Sequence, residues 1–597
     1  MTSLDLAAIG NCSVASLITP TGRHVWHCFP RLDGDPVFNA LLGGAEPERG
    51  YFDIVLRKFV SSTQHYVTNT AVVETTLTDA TGAEARIIDF APRFKRFGRI
   101  FRPPLLVRRI EPKVGRPHIT LRCRPSFDYG AKQPSTTLGS NHARFVGDDL
   151  VLRVTADLPI SYLLHEAEFA LDRPVNIFLG ADETLAENPN SLAQSFLAET
   201  QSYWHDWVRD LNIPFEWQDA VIRAAITLKL CSFEDTGAIL AALTTSVPEA
   251  AGTVRNWDYR FSWLRDAFFT VTALNRLSAT LTMERFVRFV LDAVERDGEG
   301  AITPLFAIAP GMDVSERTAP SLPGYRGFGP VRVGNAAVIQ KQNDVYGSIV
   351  LTAAQMFWDQ RLPDPSRGAL YKQLCRVGRM AERLALEPDS GLWEYRNRER
   401  VHTFSAAMCW AAMQRLGHIA HHIGAGEETN DWLVKAHSIR TEVLKRATVA
   451  DGGWLSSVLD EAVVDASSLV LPEIGLLPTS DKRFRRTLDI VEQRLVRNGF
   501  VMRYDETDDF GKPENAFLLC TFWYIDALAR VGRKDQARAL FEKILTHRNH
   551  VGLLSEDIDP ATGELWGNFP QTYSQVGLIL SAMRLSMSWE EGLWHAS

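Results

Sequence analysis

Near Trp217 the hydrophobic repeat of this chain changes from two residues to three or four, and that switch limits its fold more than any other feature. From Leu6 to about Gly180, short runs such as RHVWHCF, FDIVLRKF, EARIIDFAP, HITLRCRPSF and VNIFLG are rich in Val, Ile, Thr and Phe. Turns of Gly, Pro, Asp and Asn separate them, which reads as an antiparallel β-sandwich. Beyond Trp217, segments such as NDVYGSIVLTAAQMFW, SAAMCWAAMQRLGHIA and AFLLCTFWYIDALARVG repeat at helical spacing. On the order of twelve such helices are expected, with long loops between them and no fixed-period repeat. A closed double ring, an (α/α)6 barrel, suits that pattern best, with an open helical array as the second reading. SLAQSFLAETQSYWHDWVRDL, with Asn190 and Ser191 as capping residues, joins the two parts as one amphipathic helix. The expected division is a β-sandwich at 1–188, a linker helix at 189–214 and a helical barrel at 215–597.

At 597 residues the chain exceeds one ordinary core, as the two-part reading requires. A net charge of −8, with no basic run carrying interleaved aromatics, excludes nucleic acid as the expected partner and favours a neutral or polar small molecule. Seven scattered cysteines without CxxC spacing fit reduced thiols in a cytoplasmic protein. MTSLDLAAIGNCSV has no basic start and no apolar core, so no signal peptide is read there, and no apolar run reaches membrane-spanning length. The expected partner is therefore a small-molecule substrate, with no nucleic acid and no membrane; assembly into an oligomer is left open. His418, His421 and His422 share helical spacing without a carboxylate among them, and no metal or cofactor is expected from them.

The chemistry is expected in the loops of the second part. Twelve of the fifteen tryptophans lie from Trp217 onward, many beside charges, as in RNWDYRFSWLRDA (255–267), GLWEYR (391–396) and GELWGNFP (563–570). An aromatic face next to carboxylates and arginine suits a sugar, whose C–H face packs on a ring while its hydroxyls seek charged partners. Two loop stretches each set a glutamate ahead of a helix, Glu394 beside Trp393 and Glu556 in LLSED just before GELWGNFP. Glu556 alone reads equally well as part of a solvated acidic turn; the matching glutamate upstream favours a catalytic role.

Taken in order, the stretches 236–267, 324–347, GLWEYR and GLLSEDIDPATGELWGNFPQTYSQVGL resemble glycoside hydrolase family 15, which holds glucoamylases, glucodextranases and bacterial trehalases. The opening, 9–38, resembles the β-sandwich that bacterial members carry. The resemblance implies an inverting, exo-acting α-glucoside hydrolase that releases β-glucose, on an (α/α)6 barrel preceded by a β-sandwich. It implies Glu394 as general acid and Glu556 as general base. Arg265 and Asp266 match a pair that binds sugar hydroxyls, Tyr259 and Trp263 match pocket aromatics, and Arg503 matches a pocket arginine. Trp393 is counted with the pocket, and Arg332 with Asn335 falls in a substrate-contacting loop. Tyr395 stands where fungal glucoamylases carry a second glutamate, and Ala406 where a lysine is common. Both departures lie near the leaving-group side, so they bear on substrate choice.

Inversion at a glycosidic bond needs one protonated carboxyl and one ionised carboxylate, roughly 6.5–9.5 Å apart, so both loops must meet at one end of the barrel. The acid, Glu394, is expected to have a raised pKa from desolvation against Trp393 and from negative Glu556. For a cytoplasmic enzyme α,α-trehalose is the first substrate expected, then maltose, isomaltose or short α-glucans. A glycoside phosphorylase would need only the acid, so the second glutamate argues against it, and the pair argues against a non-catalytic carbohydrate-binding protein.

Overall fold

The computed structural model describes residues 3–297, 301–362 and 367–595. The first part is two antiparallel sheets, one of seven strands and one of eight. Strand His118–Arg124 shows why they face each other: Ile119, Leu121 and Cys123 point inward while their neighbours stay half-exposed, the alternation that a one-sided sheet requires. The last strand, Val175–Gly180, is inserted between Val151–Ala156 and Leu105–Val114, which fixes the second sheet. Helix Pro189–Arg209 follows. Asn188 caps it by accepting from the backbone N–H groups of Asn190 and Ser191. Its Leu192, Ala193 and Phe196 pack into an apolar patch with Phe90, Phe94 and Phe178 of the sandwich.

The second part is a double ring of helices. The inner ring runs Leu264–Arg276, Asp344–Trp358, Thr403–His422, a 3₁₀ turn at Ala466–Val470, Leu518–Arg530 and Thr572–Leu585, and each packs on the next until the last meets the first. Composition assigns the rings. Of the inner helix Asp344–Trp358, 13 of 15 residues are buried, so it is apolar on every side. Outer helix Lys482–Leu495 buries only Phe484, Thr487, Leu488, Val491 and Leu495, a single stripe. Each helix read from the sequence has its counterpart, and the structure adds a short one at Trp589–His595. Short strand pairs brace the loops, notably Ala516–Phe517, Asp557–Ile558 and Leu565–Trp566. Among the described residues no helix is long and apolar enough to cross a membrane.

One apolar cluster runs unbroken through both parts. Polar contacts cross the same boundary. The Trp26 indole N–H donates to the Leu243 carbonyl at 2.8 Å, and Arg93 pairs with Glu234 at 2.6 Å, both buried. Arg260, in the loop between the Tyr259 and Trp263 positions, donates to the Gly34 carbonyl at 2.9 Å and to the Tyr129 hydroxyl at 2.7 Å. The sandwich thereby holds the most aromatic loop of the barrel, although it contributes no residue to the cavity described next.

Candidate active site

All six inner elements direct their N-termini at one end of the ring, and the loops there enclose a cavity of about 120 Å³, room for about four waters at ~30 Å³ each. Leu519 and Trp523 line this cavity and also a second one farther along the barrel axis, so they form its floor. Tyr259, Trp263, Arg265, Asp266, Asn335, Trp393, Glu394, Arg503 and Glu556 all line it. Arg332 lies one layer back: its guanidinium rests 4.9 Å from the Trp257 ring centre and donates to the carbonyls of Val254 and Asn256.

Glu394 closes a tight turn and adopts φ +59°, a left-handed conformation that costs a non-glycine residue about 1 kcal/mol and persists only where the surroundings enforce it. Gly391, at φ +68°, begins that turn; a Cβ there would meet the His402 ring at 2.7 Å. Three donors converge on Glu394 Oε1: the Trp263 indole N–H at 2.8 Å, Arg265 at 3.3 Å and Gln342 at 3.3 Å. Its side chain keeps 24% exposure, leaving Oε2 clear of these donors. Arg265 is itself fixed by Asp344 at 2.9 Å.

Glu556 is 1% exposed; the solvated acidic turn foreseen as one alternative is a buried strand edge. The Leu518 N–H donates to its carbonyl, and its own N–H donates to that of Asn568. Gly567 packs against it so closely that a Cβ would stand 2.6 Å from the Glu556 Cβ, so no larger residue fits there. Tyr259 donates to Oε1 at 2.7 Å and Arg503 at 3.0 Å. Arg503 also pairs with Asp557 at 3.1 Å and with Glu249 at 2.5 Å, so three buried carboxylates share its charge. Burial pushes the Glu556 carboxyl up to about 7; Arg503 opposes the rise and Glu249 adds to it. Asp557 is driven up more strongly by the same burial. Glu556 thus carries a raised carboxyl that the sequence reading did not foresee. The reason is depth: Glu556 is enclosed by the strand edge and Gly567. Desolvation likewise raises Asp266 to about 7, Arg265 opposing and Glu394 adding to it.

The two glutamates face a common space between aromatics. Tyr259, bonded to Glu556, and Trp263, bonded to Glu394, meet edge to face at 5.3 Å between ring centres. Sequence reasoning missed Glu249, Trp257, Asp508, Asp509 and Asp557, all near this space. Glu249 and Trp257 stand within a quoted motif and Asp557 directly follows Glu556, so their positions were in view while their shared contacts in space, such as Arg503 for Glu249 and Asp557, were not.

The chain is similar to known proteins over most of its length. Residues 217–583 match the model of glycosyl hydrolases family 15, and residues 4–133 match one described as trehalase-like, N-terminal. A trehalase of Thermoplasma volcanium is 32% identical over 590 residues, covering 97% of this chain and 92% of its own. One from Mycobacterium tuberculosis is 29% identical, covering 98% and 90%. A solved bacterial glucoamylase complexed with acarbose superposes with a TM-score of 0.68 at 13% identity, over 97% of this chain and 93% of that one, a likeness of fold.

Proposed function

The chain belongs to glycosyl hydrolases family 15, and on that premise we propose that it hydrolyses α,α-trehalose with inversion, Glu394 acting as general acid and Glu556 as general base. The observation that carries this reading is the pair of glutamates lining one floored cavity, each fixed by one ring of the Tyr259–Trp263 pair. A floor means that only the end of a glucoside can enter, which supports exo action and a small substrate. Full-length relatives named trehalase favour this disaccharide.

In the proposed reaction the glycosidic oxygen takes the proton of Glu394, whose Oε1 is anchored while Oε2 is free to deliver it. As the C1–O bond breaks, positive charge develops on the glucosyl ring. A water on the opposite face attacks C1 and gives its proton to Glu556, so the configuration at C1 inverts. A base with its pKa near neutrality is well matched to this task. Arg265 and Asp266 hold hydroxyls of the bound ring, with Trp393 and Asn335 completing the wall; Arg332 supports the site through Trp257. The reading also includes the division at residues 188 and 214 and a cytoplasmic location, supported by seven cysteines that are free and buried.

The test is proton NMR of the first products. Trehalose should give α- and β-glucose in equal initial amounts, one from each half, faster than maltose or isomaltose reacts. Production of α-glucose alone would exclude inversion, and strict dependence on phosphate with glucose 1-phosphate as product would make the chain a phosphorylase.

A further inference from the structure

We propose that Arg396, held against Trp257 by Glu316, grips the leaving sugar and thereby sets the preference for a disaccharide; the inference rests on the hydrolase reading above. Leu519 and Trp523 block the deep end of the cavity and are buried, so the leaving group must lie toward the mouth. Exposure identifies that mouth: Arg396 keeps 26% of its side chain accessible, and Asp509, another lining residue, is exposed.

Most polar groups at the mouth are already committed. The Trp257 indole N–H donates to Glu249 at 2.8 Å. Arg332 stands behind the cavity lining, its Nη1 donating to the carbonyls of Val254 and Asn256 and its Nε facing Glu316 at 3.4 Å. Asp508 accepts from Arg255 at 2.5 Å and from the Phe510 N–H at 2.7 Å. Arg396 differs. Its guanidinium lies 4.7 Å from the Trp257 ring centre and makes two parallel bonds to Glu316, at 3.0 and 2.7 Å. A guanidinium has five N–H donors, so this clamp fixes its plane and leaves donors unspent. Asp509 complements it: Oδ2 accepts from the backbone N–H groups of Arg396 and Asn397 at 2.6 and 3.3 Å, and Oδ1 takes no part in those bonds. A rigid donor beside an available acceptor suits neighbouring hydroxyls on a sugar ring and offers nothing to a leaving group without them.

The experiment compares two substrates that share the glucosyl half, trehalose and α-glucosyl fluoride, whose leaving group is a single atom. The quantity read is the ratio of kcat/KM for trehalose to that for the fluoride. Arg396→Ala should lower this ratio roughly 10- to 100-fold, the range for a hydrogen bond from a charged donor. Glu316→Gln, outside the cavity, should lower it less and chiefly through KM. A ratio that stays at the wild-type value in both variants overturns the proposal, as does an equal loss on both substrates, which would show that the loop merely supports Glu394. Wild-type protein that turns over neither substrate instead defeats the hydrolase reading, and the proposal with it.

Discussion

The two ends of the helical ring differ in their charged residues: acidic side chains gather where the inner helices begin, and arginines close several of them. Where the inner helices begin, Asp266 and Asp344 occupy first turns, Asp465 caps the 3₁₀ turn, and Glu394 and Glu556 stand in the loops above. Where they finish, last turns carry Arg276, Arg530 and Arg584, and His421 with His422. Helix dipoles explain the sorting, since an N-terminus favours anions and a C-terminus favours cations, each by about 0.3–1 kcal/mol. The far end also binds its charges to one another: Arg530 meets Asp526 at 2.6 Å and Arg584 meets Glu473 at 3.3 Å. At the near end Arg503 serves three carboxylates at once. A surplus of negative charge in a desolvated hollow is tolerable only at the end where six elements offer their positive poles. Acid–base chemistry with two carboxyl groups therefore belongs there.

The largest test of this contrast removes the reacting groups. Glu556→Gln and Glu394→Gln should each lower kcat on trehalose by about 10²–10⁴-fold, with calorimetric binding of trehalose largely retained for Glu556→Gln. Wild-type turnover in either variant would refute the roles assigned.

The next test concerns the crowding of charge around Arg503. With Glu556 raised toward 7, kcat/KM should fall tenfold per pH unit on the acid side, beginning near neutrality, because the base must be ionised to accept the proton. Glu249 contributes to the rise, so Glu249→Gln should move that limb to lower pH and increase relative activity there several-fold. An unmoved limb would show that Glu249 does not act on the base.

A smaller effect is expected at the sandwich. Tyr129→Phe deletes one bond to Arg260 and should cost about 1–2 kcal/mol of stability in urea unfolding. Least of all should happen at the opposite pole. Arg276→Ala should leave kcat/KM for trehalose unchanged and cost under about 1 kcal/mol; a clear loss of activity would break the proposed independence of the two ends.

The sequence made the architecture readable because period alone separates sheet from ring: the all-round apolar Asp344–Trp358 and the one-sided Lys482–Leu495 already differ in pattern. The motif residues were readable by resemblance, and most of them line one cavity. What stayed hidden is what depends on distance in space. Nothing in VMRYDE tells that Arg503 is shared by Glu249, Glu556 and Asp557, and nothing in GLWEYR tells that Arg396 meets Glu316, 80 residues earlier. The raised carboxyl of Glu556 went unforeseen for the same reason, since depth is set by Gly567 and a strand edge and has no signature in local composition.

The apolar cluster shared by sandwich and ring has a consequence for handling the protein. Heat should melt the two parts in a single calorimetric peak. A fragment trimmed to the ring alone would bare the face on which Trp26 and Tyr129 rest, lose the anchor of Arg260 and collect in inclusion bodies.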